Sequence, residues 1–175
     1  MPGLLLAPDA IGPSLEGELA RLIDAAPLTP FQFGQWEGKR LTANYGSAYD
    51  YQKGRPSPAP PMPEWVEEVR DHLAPQFGRA AEDFVQALLI RYDPGAGIGW
   101  HRDRPQYGEV IGLSLSEPAT MRFRRRKADG SFERRNVELA PRSAYLLAGP
   151  ARWEWQHSIL PLDVTRRSIT LRTMA

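Results

Sequence analysis

The 175-residue chain contains no cysteine, and that absence removes disulfides, thiolate zinc sites and cysteine nucleophiles together. Charge of either sign is not in excess: 22 Lys and Arg face 21 Asp and Glu, so the total selects no partner. No apolar run approaches the roughly 20 residues that a membrane span needs. The opening Met1-Pro2-Gly3-Leu4-Leu5-Leu6-Ala7-Pro8 lacks the basic stretch and long apolar core of a secretory signal. A cytoplasmic monomer with no membrane partner is therefore expected. A Gly-x-Ser-x-Gly elbow, a P-loop and a dinucleotide fingerprint are missing too; Gly95-x-Gly97-x-Gly99 has the wrong spacing and opens no helix. Histidine is scarce, at three in all, which makes each placement informative.

Hydrophobic residues at 42% and charged residues at 25% are enough for a packed domain rather than a disordered chain. The length suits one domain over residues 1–175, and the 17 prolines and 15 glycines, spread along it, indicate many turns. Ser14 to Ala26 places Leu15, Leu19, Leu22 and Ile23 at helical spacing, with Ser14 as N-cap and Pro27 as stop. Phe31 to Leu41 alternates aromatic and polar residues around two glycines and predicts a short hairpin. Asn44 to Pro63 carries Tyr45, Tyr49 and Tyr51, then a proline cluster, and is expected to be a long loop. A helix follows from Pro63 to about Leu73.

Beyond Asp83 the pattern turns to strands, near Phe84–Tyr92, Val110–Leu115, Thr120–Arg126, Phe132–Leu139, Ser143–Ala148, His157–Leu160 and Arg166–Thr173. The expected fold is mainly β with N-terminal helices. Residues 1–83 would form a helical buttress and lid, and residues 84–175 the β core, for which a double-sheet jelly roll is one solution.

The charges are unevenly placed. Residues 1–90 hold 7 basic and 12 acidic side chains, whereas residues 91–175 hold 15 and 9. Much of the excess lies in Arg122, Arg124, Arg125, Arg126, Lys127, Arg134 and Arg135, on two strands joined by Ala128-Asp129-Gly130. Such a patch is either a footprint for phosphates or the solvated face of a hairpin.

His101 and Asp103 are two residues apart, and on an extended chain such side chains emerge on one face. His157, 56 positions on, begins a predicted strand. Two imidazoles and one carboxylate make a facial triad for ferrous iron, with adjacent positions left open. The tripeptide alone is weak evidence, because it also arises in ordinary polar loops. His72 lies four residues after Glu68 on a predicted helix, a pairing typical of a solvated surface. At the C-terminus, Arg166, Ser168, Thr170 and Arg172 share one strand face. They form either a cradle for a dianion or the polar face of an edge strand.

Taken in order, Ile90-Arg91-Tyr92, Asp93-Pro94-Gly95, His101-x-Asp103, His157-Ser158-Ile159 and Arg166-x-Ser168-x-Thr170-x-Arg172 resemble the AlkB family from about residue 30 to the C-terminus. These are iron(II)- and 2-oxoglutarate-dependent dioxygenases on a double-stranded β-helix, a form of jelly roll. The resemblance implies Fe(II) held by His101, Asp103 and His157. It also implies 2-oxoglutarate held by Arg166, with Tyr92, Ser168, Thr170 and Arg172 completing the pocket, and O2 as the oxidant. The reaction it implies decarboxylates 2-oxoglutarate to succinate and CO2 and hydroxylates an N-alkyl carbon. Collapse of the product releases an aldehyde and the unmodified base of DNA or RNA.

Three departures bear on the substrate. Ile90 stands where repair members of the family have Asn, Pro105 where they have an acidic base contact, and Ser168 where Asn is commoner. The Tyr45, Tyr49 and Tyr51 stretch is similar to the substrate lid of RNA-directed branches. Its rings would either stack on a base or pack the loop onto the core. Arg124, Arg126 and Arg135 would hold the phosphate backbone. The alternatives are an oxygenase of the same chemistry acting on a protein side chain or small metabolite, and a nucleic-acid-binding module without catalysis.

Overall fold

A computed structural model describes the backbone of residues 1–33, 36–50 and 55–175, and the side chains of residues 1–32, 38–46 and 59–175. The chain opens with strand β1 (Leu4–Ala7) and helix α1 (Pro13–Ala25), followed by β2 (Thr29–Phe33) and β3 (Trp36–Tyr45). A ribbon of β4 (Ser47–Asp50) and β5 (Arg55–Pro58) leads to α2 (Glu64–Leu73). Then come β6 (Phe84–Tyr92), β7 (Ile98–His101), β8 (Tyr107–Leu115), β9 (Ala119–Arg126) and β10 (Phe132–Leu139). Strand β11 (Ala144–Leu147), the short helix α3 (Gly149–Trp153), β12 (Gln156–Ile159) and β13 (Arg166–Met174) complete the chain.

The strands form a seven-stranded major sheet, in the order β1-β11-β8-β13-β6-β3-β2, and a four-stranded minor sheet, in the order β10-β9-β12-β7. All the pairings are antiparallel. Two such sheets face to face are the double-stranded β-helix that the sequence led us to expect.

Alternation along two central strands explains which face goes where. Ala87 and Leu89 of β6, with Ile169 and Leu171 of β13, pack in one core with Leu19 and Ile23 of α1 and with Val66, Val69 and Leu73 of α2. The helices thus cover the outer face of the major sheet, and each Leu, Ile or Val among these side chains contributes roughly 1.5–3 kcal/mol on burial. The intervening residues Leu88, Ile90 and Tyr92 point the other way, between the sheets. There Val110 and Leu147 of the major sheet meet Met121, Phe123 and Ile159 of the minor one.

Several expectations are corrected. Helix α1 starts with Pro13 behind an extended Gly12 (φ −86°, ψ 168°), so Ser14 lies inside the helix and is not its N-cap. Proline at the first position lacks only an N–H that would have no helical partner, and this moves the start forward. The stretch expected as a loop contains the β4–β5 ribbon, paired from Ser47↔Pro58 to Asp50↔Arg55. Its prolines are tolerated because each strand of a two-stranded ribbon has only one paired edge. Residues 1–83 are more than a helical buttress, since β1, β2 and β3 all join the major sheet. Strands β1 and β7 escape the sequence pattern because Leu4–Ala7 is apolar throughout and Ile98–His101 continues a glycine-rich turn run, so neither shows alternation.

Two glycines give opposite expectations. Gly46 has φ +82°, and a Cβ there would collide with the Val85 carbonyl. Gly46→Ala should lower stability by about 1–3 kcal/mol. Gly17 is an exposed interior residue of α1 with open space around it, so Gly17→Ala should raise stability by up to about 1 kcal/mol. Urea denaturation midpoints that fail to move in opposite directions would contradict this backbone.

Candidate active site

Strands β7 and β12 are antiparallel neighbours, and His101 lies directly opposite His157. Residues paired in this way share a sheet face, and the two rings sit 4.3 Å apart between centroids. Asp103 lies two residues beyond the end of β7. One of its oxygens, Oδ1, is 4.0 Å from His101 Nε2 and 3.6 Å from His157 Nε2. One ligand atom from each of the three residues lies within 4.8 Å of the others, so a single ion could be held by all three.

Each ligand is in the state that a metal needs. His101 Nδ1 donates to the Gly99 carbonyl at 2.8 Å, which leaves Nε2 with its lone pair toward Asp103. Burial, reinforced by the neighbouring His101, pushes His157 down to about 3, and burial likewise lowers His101. Both imidazoles are therefore neutral. Burial alone would raise the Asp103 carboxyl, but the Arg172 guanidinium, followed by the two histidines, holds it below the usual carboxylate range. Two neutral nitrogens and one carboxylate suit a first-row ion such as Fe(II).

Arg172 is the positioning group. Its Nε donates to Asp103 Oδ2, which turns Oδ1 toward the imidazoles. Its Nη1 donates to Gln86 Oε1 at 2.9 Å, and Gln86 Nε2 in turn donates to Asn44 Oδ1 at 3.2 Å. The resemblance implies Arg172 in the co-substrate pocket, and Arg172 lines the cavity between the sheets while it also donates to Asp103 and Gln86.

Strand β13 runs between β8 and β6 in the middle of the major sheet, so its polar face is no outer edge. Arg166 is 2% exposed, and Ser168 and Thr170 are each 7% exposed. Arg166 Nη2 donates to Ser114 Oγ at 2.9 Å, and its guanidinium carbon lies 5.4 Å from the centre of the Tyr92 ring. Its Nε and Nη1 are buried with no hydrogen-bond partner. A buried guanidinium with two unbonded nitrogens is costly unless an anion completes it. A carboxylate of 2-oxoglutarate fits that need in charge and in its bidentate geometry.

The triad and Arg166 line one cavity of about 500 Å³ between the sheets, together with Tyr92, Ser168, Thr170 and Arg172. Tyr145 lines it as well, lying over Gly112, where any Cβ would strike its ring. Tyr145, Gln86, Ser114 and Arg152 are site residues that the sequence pattern does not single out. Arg152, 2% exposed, donates to the carbonyls of Gly108 at 2.6 Å, Arg104 at 2.8 Å and Tyr107 at 2.6 Å. It thereby pins the segment that follows Asp103. For Tyr145, Gln86 and Ser114 only the register of neighbouring strands reveals the partners; Arg152 meets its carbonyls through the packing of α3 on β8.

The expected substrate contacts fare unevenly. Tyr45 is 8% exposed and belongs to the core cluster, so it packs rather than stacks on a ligand. Tyr49 lies on β4 with its side chain outside the described residues, and Tyr51 lies outside them altogether. Arg124 and Arg126 share the outer face of the minor sheet, whereas Arg135 is on the opposite face and pairs with Glu133 at 2.8 Å. His72 is exposed, as expected, and its ring bonds the Ala10 carbonyl at 3.0 Å. Among the described residues no helix is long and apolar enough to cross a membrane.

A cross-strand pair of imidazoles, a carboxylate and a buried anion receptor on a double-stranded β-helix define an oxygenase-type centre. A family model for the 2OG-Fe(II) oxygenase superfamily matches residues 30–172. The chain is similar to the alkylated DNA repair protein ALKBH8 homolog of Arabidopsis thaliana, 30% identical over 184 residues that cover 91% of this chain and 51% of that protein. It is also similar to the tRNA (carboxymethyluridine(34)-5-O)-methyltransferase alkbh8 of Xenopus tropicalis, 29% identical over 167 residues, 91% of this chain and 25% of that one. The chain thus spans about half, or less, of the length of the curated relatives it matches. Among solved structures, OsALKBH1 superposes with a TM-score of 0.75 at 16% identity, covering 99% of this chain and 97% of that one. A prolyl-4-hydroxylase of Pseudomonas putida does so with 0.64 at 19%, covering 99% and 93%. At those identities the likeness is one of fold. The chain belongs to the 2OG-Fe(II) oxygenase superfamily and, within it, to the AlkB family. Its cofactors are accordingly Fe(II), 2-oxoglutarate and O2.

Loss of the Arg152 anchor should be felt at the metal cluster. Arg152→Met strands three carbonyls and should lower stability by about 2–4 kcal/mol, with weaker Mn(II) binding because Asp103 loses its support. An unchanged denaturation midpoint would refute that role.

Proposed function

We propose that residues 1–175 act in the cytoplasm as one dioxygenase domain that oxidatively dealkylates N-alkylated bases of DNA or RNA. In this reading His101, Asp103 and His157 hold Fe(II), and Arg166, supported by Ser114 and Tyr92, holds the distal carboxylate of 2-oxoglutarate. What carries it is the sharing of one cavity by the three ligand atoms and the two unbonded nitrogens of Arg166. Iron with O2 and 2-oxoglutarate supplies the oxidation, which yields succinate, CO2 and a hydroxylated substrate carbon.

The chain's own part is binding, orientation and exclusion of water. Arg166 fixes one end of the co-substrate, and a buried receptor of this kind makes the arrangement selective for a dianion. Arg172 keeps Asp103 turned toward the two imidazoles, while the Gly99 carbonyl fixes the His101 tautomer. Leu88 and Ile90 present apolar walls beside them. Hydroxylation of a carbon bonded to nitrogen leaves a hemiaminal that breaks down to an aldehyde and the free base without further help from the protein. The nucleic-acid substrate is supported by the relatives' printed names, alkylated DNA repair protein and tRNA methyltransferase, and by the basic strands that carry Arg124 and Arg126. Pro105, which offers no acidic contact to a base, favours a second reading in which a protein side chain is hydroxylated.

His101→Ala and Asp103→Ala should each abolish succinate formation; His101→Ala leaves the fold intact, whereas Asp103→Ala also lowers stability by stranding the buried Arg172. Arg166→Ala should raise the KM for 2-oxoglutarate by about thirtyfold or more, because truncating one partner of a buried charge pair costs about 2–5 kcal/mol. Mass spectrometry of methylated and etheno-modified oligonucleotides after incubation with iron and 2-oxoglutarate tests the substrate. Restored bases support dealkylation; turnover of 2-oxoglutarate stimulated by peptides and by no oligonucleotide would transfer the activity to the second reading.

A further inference from the structure

The outer face of the minor sheet carries a row of guanidinium and aromatic groups that the site between the sheets does not use. Arg122 and Arg124 of β9 reach across β12 and lie 4.9 Å and 4.5 Å from the centre of the Trp100 ring on β7. On the other side, Arg124, Arg126 and Arg134 gather around Phe132 of β10 at 4.5, 5.1 and 5.5 Å. The register explains the assembly, for Arg134↔Arg124 and Phe132↔Arg126 are direct cross-strand pairs on one face. Arg122 Nε donates to Ser158 Oγ at 3.1 Å and Arg124 Nε to Gln156 Oε1 at 2.8 Å. These bonds hold the guanidinium planes by their inner edge.

Charge on this face is uncompensated. Among the described residues Arg122, Arg124, Arg126 and Arg134 make no ion pair. The nearby acids are engaged elsewhere: Glu133 of β10 and Glu154, which follows α3, pair with Arg125 on the opposite face. Glu138, on the same face as Arg122 but at the far end of β10, accepts a hydrogen bond from Thr120. A flat sheet face projects nothing into a duplex groove. Alternating arginines, about 6.7 Å apart along a strand, with aromatic rings between them, match a flexible polyanion that also carries planar bases. The row has a direction as well. It ends at Trp100 on the edge strand β7, and Trp100 borders the cavity next to His101.

We propose that this Trp100–Arg122–Arg124–Arg126–Phe132–Arg134 row is a platform for single-stranded nucleic acid, which leads the strand across the minor sheet and over the β7 edge into the cavity. The platform rests on the reading of the substrate as a nucleic acid, and it deepens that reading by giving the strand a path. Arg135, on the opposite face, is no part of it. Phosphates are held by the outward nitrogens of the arginines, and bases stack on the rings and guanidinium planes without reading sequence.

The test is fluorescence anisotropy of the iron-loaded, anaerobic protein with 2-oxoglutarate. The probe is a labelled single-stranded oligonucleotide of about 12 nucleotides, within the usual range of single-strand sites, titrated at several salt concentrations. R124Q/R126Q should weaken binding at least about tenfold and reduce the slope of log K against log salt by about 1.4, roughly 0.7 for each phosphate no longer neutralised. R125Q/R135Q removes the same charge from the other face of the same strands and should stay within about twofold of wild type. Phe132→Leu should weaken binding about tenfold with an unchanged salt slope.

Equal losses in the two arginine pairs would reduce the effect to overall charge and overturn the platform. So would wild-type affinity in R124Q/R126Q, a preference for duplex over single strand, or absence of binding by the wild type. Equal competition by polyglutamate, indifferent to Phe132, would assign the face to an acidic protein instead. Loss of binding in R124Q/R126Q from an enzyme that restores no alkylated base would uphold the platform and sink dealkylation. Dealkylation with unaltered binding in that variant would do the reverse.

Discussion

The site depends on one register. His101 faces His157 because β7 and β12 pair at that step, and both imidazoles point between the sheets only in that alignment. A slip of one residue would turn a histidine to the outer face and leave Asp103 with a single partner. The alignment is held from both sides. The Gly95 N–H donates to the Leu162 carbonyl at 2.8 Å, and Gly97 packs so closely on residues 159–161 that a Cβ would lie 2.7 Å from the Ile159 oxygen. The segment that leads into one histidine is therefore clamped to the segment that leaves the other.

Around that register the fold tolerates an unusual density of buried charge. Burial works against the Arg172 cation, and the Asp103 carboxylate more than restores it. Arg152 satisfies its charge with backbone carbonyls, and Arg166 does so in part through Ser114. Taking such groups out of water costs about several kcal/mol each, and packing of the helices on the opposite face of the major sheet offsets it. The two faces of β13 thus have different roles: Ile169 and Leu171 stabilise, while Arg166, Ser168 and Thr170 present chemistry.

Much of this is legible in the sequence because alternation is. The Arg166-to-Arg172 stripe, the His101–Asp103 spacing and the long strands β6 and β10 follow from which side chains share a face. Partnerships across strands are not legible, since they depend on register. That Arg172 also holds Asp103 is visible only once the fold brings the two together. Tyr145 carries no signal without Gly112 opposite it, and Arg152 bonds carbonyls 44 to 48 positions away. Tyr45 resembles part of a lid because the stretch after it is polar and proline-rich, yet it ends a ten-residue strand whose pairing with β6 carries it into the core.

The charged hairpin also guards the molecule against its own kind. Strand β10 is the open margin of the minor sheet, where unsatisfied amides would invite a second copy to dock strand against strand. Its side chains Glu133, Arg134, Arg135 and Glu138 make that margin thirsty for water rather than for another β-strand. At the far limit of the major sheet, β2 carries Pro30, which has no N–H to lend to a neighbour. One margin of each sheet is thereby blunted against fibre-like association.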